Sequence, residues 1–317
     1  MAVHRGKIAV AGAGPDRLIT PAIPHGDAEE YQPAVGDWLL IDPETEQLSR
    51  ILGRANLFKR RPPGNGRGLQ LIAANVDTLF IVASCNQDFN VARVERYLVL
   101  AREVGVEPVV ILTKADLTAT PEIFVAAARG LQHDLVVEAV NARDPGSADR
   151  LAAWCGKGET VALLGSSGVG KSTLINTLRG SQTIPTQAVR EGDGKGRHTT
   201  TVRQLHRLEQ GGWLLDTPGM RELQLSDAAA GLAAVFDDII SLAQHCRFSN
   251  CTHEQEPGCA VQAELAAKKL DPVRLNRWRK LAAEDASNSV GLAARRSRAA
   301  AFGTVVRSRP RESDADE

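Results

Sequence analysis

The segment "GSSGVGKST" at residues 165–173 lies about one mononucleotide-binding unit downstream of "TKAD" at residues 113–116. The first has the form of a phosphate-binding loop and the second that of a base-reading motif. In an ordinary nucleotide switch these two come in the opposite order. What surrounds them explains the reversal.

Gly165-x4-Gly170-Lys171-Ser172 matches the phosphate-loop pattern at every position. Its glycines let successive backbone N–H groups turn inward around phosphate oxygens, and the helix that follows adds its positive N-terminal end. Gly165, Ser166, Ser167, Gly168, Val169 and Gly170 form the cradle. Lys171 is suited to neutralise β- and γ-phosphates and Ser172 to ligate Mg²⁺, with Thr173 beside it. The loop follows the apolar strand "TVALLG" and opens the helix "KSTLINTLRG", the context this chemistry demands. The bland alternative is a Gly-rich turn with an incidental lysine.

A second signal is "DTPG" at residues 216–219, at the end of the apolar run "WLLDT". Asp216 would hold the water shell of Mg²⁺, and the Gly219 N–H would sense the γ-phosphate. Between the two lies "GDGKGRHTTT", a polar loop ending in Thr199, Thr200 and Thr201. Such a loop can fold over γ-phosphate and Mg²⁺ and be released on hydrolysis. One of the three threonines should ligate Mg²⁺; Thr200 is preferred, its neighbours staying open.

"TKAD" ends the strand "PVVILT", so it belongs at the carboxyl edge of a sheet, where open α/β folds bind ligands. The Asp116 carboxylate can accept both the N1–H and the N2 amino protons of guanine. Adenine offers neither, so one residue can select GTP over ATP. The stem of Lys114 would pack over the base. Thr113 stands where the usual consensus has Asn, keeping a hydrogen-bonding group. Alone, the motif would also suit a helix N-terminus. "VNAR" at residues 140–143 would supply backbone contacts to guanine O6.

A bound nucleotide needs these loops to meet at one sheet edge and is indifferent to which comes first. Joining the original ends and cutting after the DxxG strand gives the observed order, that of a circularly permuted GTPase. A P-loop ATPase is the competing enzyme. A nucleotide-gated RNA-binding module with incidental hydrolysis is the competing class.

The rest of the chain frames this core. Residues 1–70 hold short β-type runs ("KIAVAG", "RLITPAI", "DWLLID") broken by Gly, Pro and Asp, which suggests a small OB-like β-barrel. "VGDWLLIDPETEQLSRIL" reads as a hairpin, and "KRRPPGNGRGLQ" as a linker or exposed loop. Over residues 71–225, apolar runs alternate with helical periodicity. The runs are "VDTLFIVAS", "PVVILT", "DLVVEAV" and "TVALLG". Helices are expected over "NVARVERYLVLAREVG" at residues 90–105, where Val91, Val94, Leu98 and Ala101 recur at three- and four-residue spacing, and around residues 122–129 and 148–155. That alternation predicts an α/β fold with a parallel sheet covered on both sides. "VRQLHRLEQGGWLLDT" reads as a hairpin ending on Asp216. Residues 226–290 show only helical patterns around a Cys/His cluster, and 291–317 read as a flexible basic and acidic tail.

The 317 residues are 43% hydrophobic and 24% charged, with 38 basic and 38 acidic side chains, a globular composition without global attraction to nucleic acid. No run is long enough to cross a bilayer and no signal peptide is visible, so a cytoplasmic protein without membrane contact is expected. Two stretches carry Arg and Lys without acids: Arg54, Lys59, Arg60, Arg61 and Arg67, then six arginines across residues 295–311. Each could meet phosphates or simply be solvated.

Five cysteines without a secretory signal argue against a disulfide framework. Cys246, Cys251 and Cys259, with His253, form a closed tetrahedral donor set for one structural Zn²⁺, against the alternative of coincidental free thiols. Cys85 and Cys155 read as core residues. In "DPVRLNRWRK", Leu275, Trp278 and Leu281 would face inward. Arg274, Arg277, Arg279 and Lys280 would flank them, either on phosphates or in solvent.

"TKAD", "GSSGVGKST", "GRHTTT", "DTPGMREL" and "C…C.H…EPGCAV", in this order along nearly the whole chain, resemble the bacterial ribosome small-subunit-dependent GTPase A family. The resemblance implies an N-terminal OB-fold, a permuted GTPase centre and a C-terminal zinc-bearing helical region. It implies late maturation of the small ribosomal subunit, contact with its 16S rRNA, and GTP hydrolysis to GDP stimulated by that particle. A monomer is expected. In many GTPases a glutamine after DxxG orients water; here Met220 takes that place. His198, beside the switch threonines as in the family, is the candidate for catalysis alongside Lys171. The alternative for His198 is an exposed loop histidine touching RNA.

Overall fold

Short apolar runs punctuated by turn residues give short antiparallel strands at the N-terminus. The protein is described by a computed structural model, which covers residues 3–4, 7–12, 16–19, 32–60, 70–181, 204–216 and 223–307. Strands β1 (Val3–His4), β2 (Lys7–Val10) and β3 (Arg17–Ile19) form one sheet. β4 (Leu39–Ile41) pairs with β5 (Leu48–Ile51), the hairpin read from "DPETE". Ile8, Val10 and Ile19 pack against Leu39, Ile41 and Leu48. Among the described residues, small antiparallel sheets thus occupy the segment read as a barrel.

β6 (Leu57–Arg60) pairs antiparallel with β7 (Gln70–Ala74). The segment read as a linker therefore joins two strands of one pair, and β7 lies across the boundary expected at residue 70. Arg54 does not belong to a phosphate-seeking patch. Its guanidinium makes a two-pronged pair with the buried Asp37 carboxylate, both contacts at 2.7 Å. Desolvated, planar pairing of this kind holds an arginine far more firmly than solvent does. Arg60 donates to Gln70, Lys59 is exposed, and Arg61 and Arg67 lie outside the described residues.

The core follows as β8 (Thr78–Ser84), α1 (Val91–Glu103), β9 (Glu107–Thr113), α2 (Pro121–Arg129), β10 (Val136–Ala139), α3 (Pro145–Leu151), β11 (Thr160–Leu164), α4 (Lys171–Leu178), β12 (Gln204–Arg207) and β13 (Trp213–Asp216). The sheet order is β10-β9-β8-β11-β13-β12, parallel except for β12. β8 is central and buried at every position, as its unbroken apolar run demands. Phe80, Val82, Val109, Ile111, Val161, Leu163 and Leu214 pack with Leu151 of α3 and Leu174, Ile175 and Leu178 of α4. Each fully buried aliphatic side chain of this kind contributes about 1.5–3 kcal/mol.

Helix α1 buries Val94, Leu98 and Ala101, as its spacing predicts, while Val91 of the same set is only half-buried in its first turn, and Asn90 caps the helix by accepting from the Arg93 N–H. Helix α3 starts earlier than its periodicity suggests. Asp144 caps it, Pro145 opens it, and a 3-10 turn at Ala152–Trp154 replaces its expected end. The Asp-Pro pair, an N-cap followed by a pre-set first turn, decides that start. Cys85 and Cys155 are core residues, and burial pushes their thiols up to about 11 and about 12.

Helices α5 (Ala229–Val235), α6 (Asp237–Ala243), α7 (Ala260–Ala266) and α8 (Pro272–Arg307) complete the chain. The molecule divides into two compact units, residues 1–223 with 230–240, and 224–229 with 241–317. In the second, Leu275 and Leu281 of α8 are buried and Trp278 is half-buried, as expected. The backbone of α8 stays helical to Arg307, past residue 291 where a tail is expected; its Ala- and Arg-rich composition has high helix propensity. Among the described residues, no helix is long and apolar enough to cross a membrane.

Candidate functional site

Five parallel strands direct their carboxyl ends to one edge of the core sheet. Ser84, Thr113, Ala139, Leu164 and Asp216 terminate there. Beyond Leu164 the phosphate loop turns flat against β8. A Cβ on Gly165 would lie 2.2 Å from the Val82 carbonyl oxygen, so only glycine permits this approach. Gly168 (φ 77°) and Gly170 (φ 94°) adopt the left-handed conformations that glycine takes at little cost. The Lys171 ammonium donates to the carbonyls of Gly165 (2.8 Å) and Ser166 (2.5 Å), so its charge sits over the start of the loop. Ser172 and Thr173 follow in the first turn of α4.

Thr113 ties the two motifs together. It is fully buried, with its hydroxyl 3.1 Å from the Ala83 carbonyl oxygen and 2.5 Å from that of Val169. The base-reading segment is thereby fastened to the phosphate loop across 56 positions of sequence. Lys114 is left-handed (φ 59°) and opens a 3-10 turn, Ala115–Leu117, on which Asp116 is exposed. The Ala115 N–H donates to the Val140 carbonyl at 3.3 Å, and the Thr177 hydroxyl of α4 to that of Ala142 at 2.6 Å. "VNAR" thus touches both the base-reading turn and the helix behind the phosphate loop. Asp216 ends β13, whose Leu215 pairs with Ala162 of β11. His198, Thr200 and Gly219, together with Met220, lie outside the described residues.

One contact escaped the sequence reading. Arg93, in the first turn of α1, donates to the Ser166 hydroxyl at 2.9 Å across 73 positions. Nothing in the local pattern marks it, since an exposed helical arginine has the same appearance.

In the second unit the Cys/His residues converge. Among the described residues, Cys246, Cys251, His253 and Cys259 are the group able to hold a metal, with all four ligand atoms within 4.8 Å of one another. His253 Nδ1 lies 3.5 Å from each of Cys246 Sγ and Cys259 Sγ, and the two sulfurs are 3.8 Å apart. A tetrahedral Zn²⁺ with ordinary Zn–S and Zn–N bonds has edges of about 3.5–3.8 Å. The donor set fits zinc in geometry and chemistry.

The surroundings act unequally on the donors, and burial pushes the Cys251 thiol up to about 11. Against the opposing pull of desolvation, the Ala260 and Val261 amides lower the Cys246 thiol. Burial lowers His253, the direction that keeps an imidazole neutral for a metal. The His253 carbonyl accepts from Gln262 Nε2 and from Arg279 Nη2. Arg279, read from sequence as flanking the helix on phosphate or in solvent, instead braces the metal loop.

Known proteins agree with this architecture. The RsgA GTPase family model matches residues 51–226. "Small ribosomal subunit biogenesis GTPase RsgA" of Mesorhizobium japonicum is 54% identical over 292 residues, covering 90% of this chain and 83% of that protein. "Small ribosomal subunit biogenesis GTPase RsgA 2" of Vibrio vulnificus is 51% identical, covering 86% of this chain and 78% of that protein. The crystal structure of YjeQ from Thermotoga maritima superposes with a TM-score of 0.60 at 22% identity, over 87% of this chain and 92% of that one. YloQ, a circularly permuted GTPase, gives 0.57 at 24% identity with the same coverage. The last two likenesses establish the permuted fold.

Proposed function

The chain belongs to the RsgA GTPase family, and from that premise we propose that it is a GTP-hydrolysing assembly factor that binds the small ribosomal subunit through its 16S rRNA and acts late in its maturation. A cytoplasmic location and a monomeric state go with that role. The observation that carries the nucleotide part is the bond from Thr113 to the Val169 carbonyl, which brings the base-reading turn against the phosphate loop.

In this reading Asp116 selects guanine, Lys114 covers the base, and the 140–143 segment meets guanine O6. The loop amides from Gly165 to Gly170 cradle the phosphates, with Ser166, Ser167 and Thr173 lining the path. Lys171 exchanges its two loop carbonyls for phosphate oxygens and stabilises charge on the transferring phosphoryl group. Ser172, at the start of α4, and Asp216, at the end of the strand beside β11, offer the oxygen donors Mg²⁺ prefers, with Thr200 as a further ligand. Mg²⁺ there would neutralise charge between the β- and γ-phosphates. The Gly219 N–H reports on the γ-phosphate, and His198 orients the attacking water in place of the glutamine that Met220 displaces. The Cys246, Cys251, His253 and Cys259 centre holds Zn²⁺ structurally, with no position for catalytic water.

The deciding experiment is GTP turnover with purified small subunits, large subunits and free RNA. Strong stimulation by the small subunit alone is expected. Equal turnover with and without it would favour the RNA-binding module with incidental hydrolysis. His198→Ala should lose most of the stimulated turnover while still binding GTP; full retention refutes its role.

A further inference from the structure

We propose that Glu256 is a positioning residue for the metal centre, a carboxylate latch that holds His253 in its ligating pose. The inference rests on the zinc reading of the cluster. Among the described residues, His253 is one of seven non-glycine residues with positive φ (61°), a costly conformation that persists only where its surroundings impose it. Glu256 supplies the imposition. One carboxylate oxygen accepts from the Thr252 N–H at 2.7 Å and from the Thr252 hydroxyl. The other accepts from the N–H groups of Glu254 (2.9 Å) and Gln255 (3.1 Å). The four donors bracket His253 on both sides, so the turn closes around the carboxylate while the imidazole is carried toward the cysteines.

Three further contacts complete the grip. The His253 carbonyl is held by Gln262 and Arg279, and its ring lies 5.7 Å from that of Trp278. None of these groups reaches the metal position; each fixes where Nδ1 stands relative to Cys246 and Cys259. Three thiolates and one dication already leave the centre negative, so the charge on Glu256 adds nothing favourable to the ion itself. Its contribution is geometric, through acceptor capacity.

Glu256→Gln tests this closely. The side chain keeps its size, but its NH2 end must face N–H donors, so at least one side of the bracket opens. Glu256→Ala removes both sides. The measurements are transfer of Zn²⁺ from the full-length protein to a chromophoric chelator and the visible d–d spectrum of the Co²⁺-loaded protein. Supporting residues of metal ligands typically change affinity about 10–100-fold, and a loss in that range is expected for Glu256→Gln, with a weakened or shifted Co²⁺ spectrum. Thr252→Ala, which removes one bond, should shift transfer in the same direction by less, and it serves if the Glu256 variants fail to fold. Zinc transfer and Co²⁺ spectra matching wild type in the folded variants would overturn the latch. Failure of the wild-type protein to bind either ion would instead overturn the zinc reading.

Discussion

Thr113→Val isolates the contact that joins base recognition to phosphate binding. Valine keeps the β-branched shape of threonine in a fully buried position and removes only the hydroxyl. The Val169 carbonyl then loses its bond to the sheet, and valine offers nothing in exchange. Removing one partner of a buried hydrogen bond costs about 1–3 kcal/mol. Val169 lies in the middle of the phosphate loop, so much of that cost should fall on loop geometry. Fully expressed in binding, it corresponds to about 5- to 150-fold weaker guanine nucleotide affinity. Titration of a fluorescent GDP analogue measures this, and urea unfolding measures how much appears as lost stability instead. Thr113→Asn, the consensus side chain, retains a hydrogen-bonding group and should bind within a few-fold of wild type. A Thr113→Val protein with wild-type stability and GDP affinity would refute the fastening role of this hydroxyl.

Gly165→Ala forces a methyl to within 2.2 Å of the Val82 carbonyl oxygen, so the loop must lift from β8. Overpacking of this kind costs about 1–3 kcal/mol, and calorimetry should show a lower Tm together with loss of nucleotide binding. Asp116→Asn should move preference from guanine to xanthine nucleotides in competition assays; continued guanine preference would remove Asp116 from base recognition. His206 on β12 gives a pH test. Burial, then the charge of Arg179, lowers its pKa from 6.5 to about 4. The unfolded chain therefore takes up a proton below about 6.5 that the folded one refuses. Stability from the neutral ring is present above that pH and is lost as pH falls toward 4. His206 is partly exposed, so screening reduces the effect to roughly 1–2 kcal/mol. His206→Gln should flatten that part of the urea-midpoint profile between pH 7.5 and 4.5.

What could be read in the sequence, and what could not, divides on whether the chemistry is local. A phosphate loop needs particular residue types at fixed spacing, and a strand buried on both faces needs an unbroken apolar run. Both survive in one dimension, as Gly165 to Ser172 and β8 demonstrate. The Cys/His spacing survives for the same reason. The partner of a charged side chain does not. Arg54 reads as part of a basic patch yet is claimed by Asp37, and Arg279 reads as surface yet braces His253. Arg93 and Ser166 are too far apart in sequence for any pattern to join them. Glu256 lies close enough to His253 to be seen, but its meaning depends on a backbone conformation that residue types do not reveal.

The same division explains why the reordered chain still builds a nucleotide site. In the sheet, β9 and β11 both flank β8, and their registers place Thr113 beside Ser84 and Leu164 beside Ile81. Those registers belong to the packed sheet itself, whose strands β8, β9 and β11 are buried along nearly their whole length. They hold whichever strand is made first. The bond from Thr113 to Val169 is therefore a consequence of strand register and not of chain order. The loops can be connected in any sequence that leaves the strand ends at one edge. Permutation changes which segments are covalent neighbours, and so the path by which the sheet assembles, while leaving the contacts that meet the nucleotide in place.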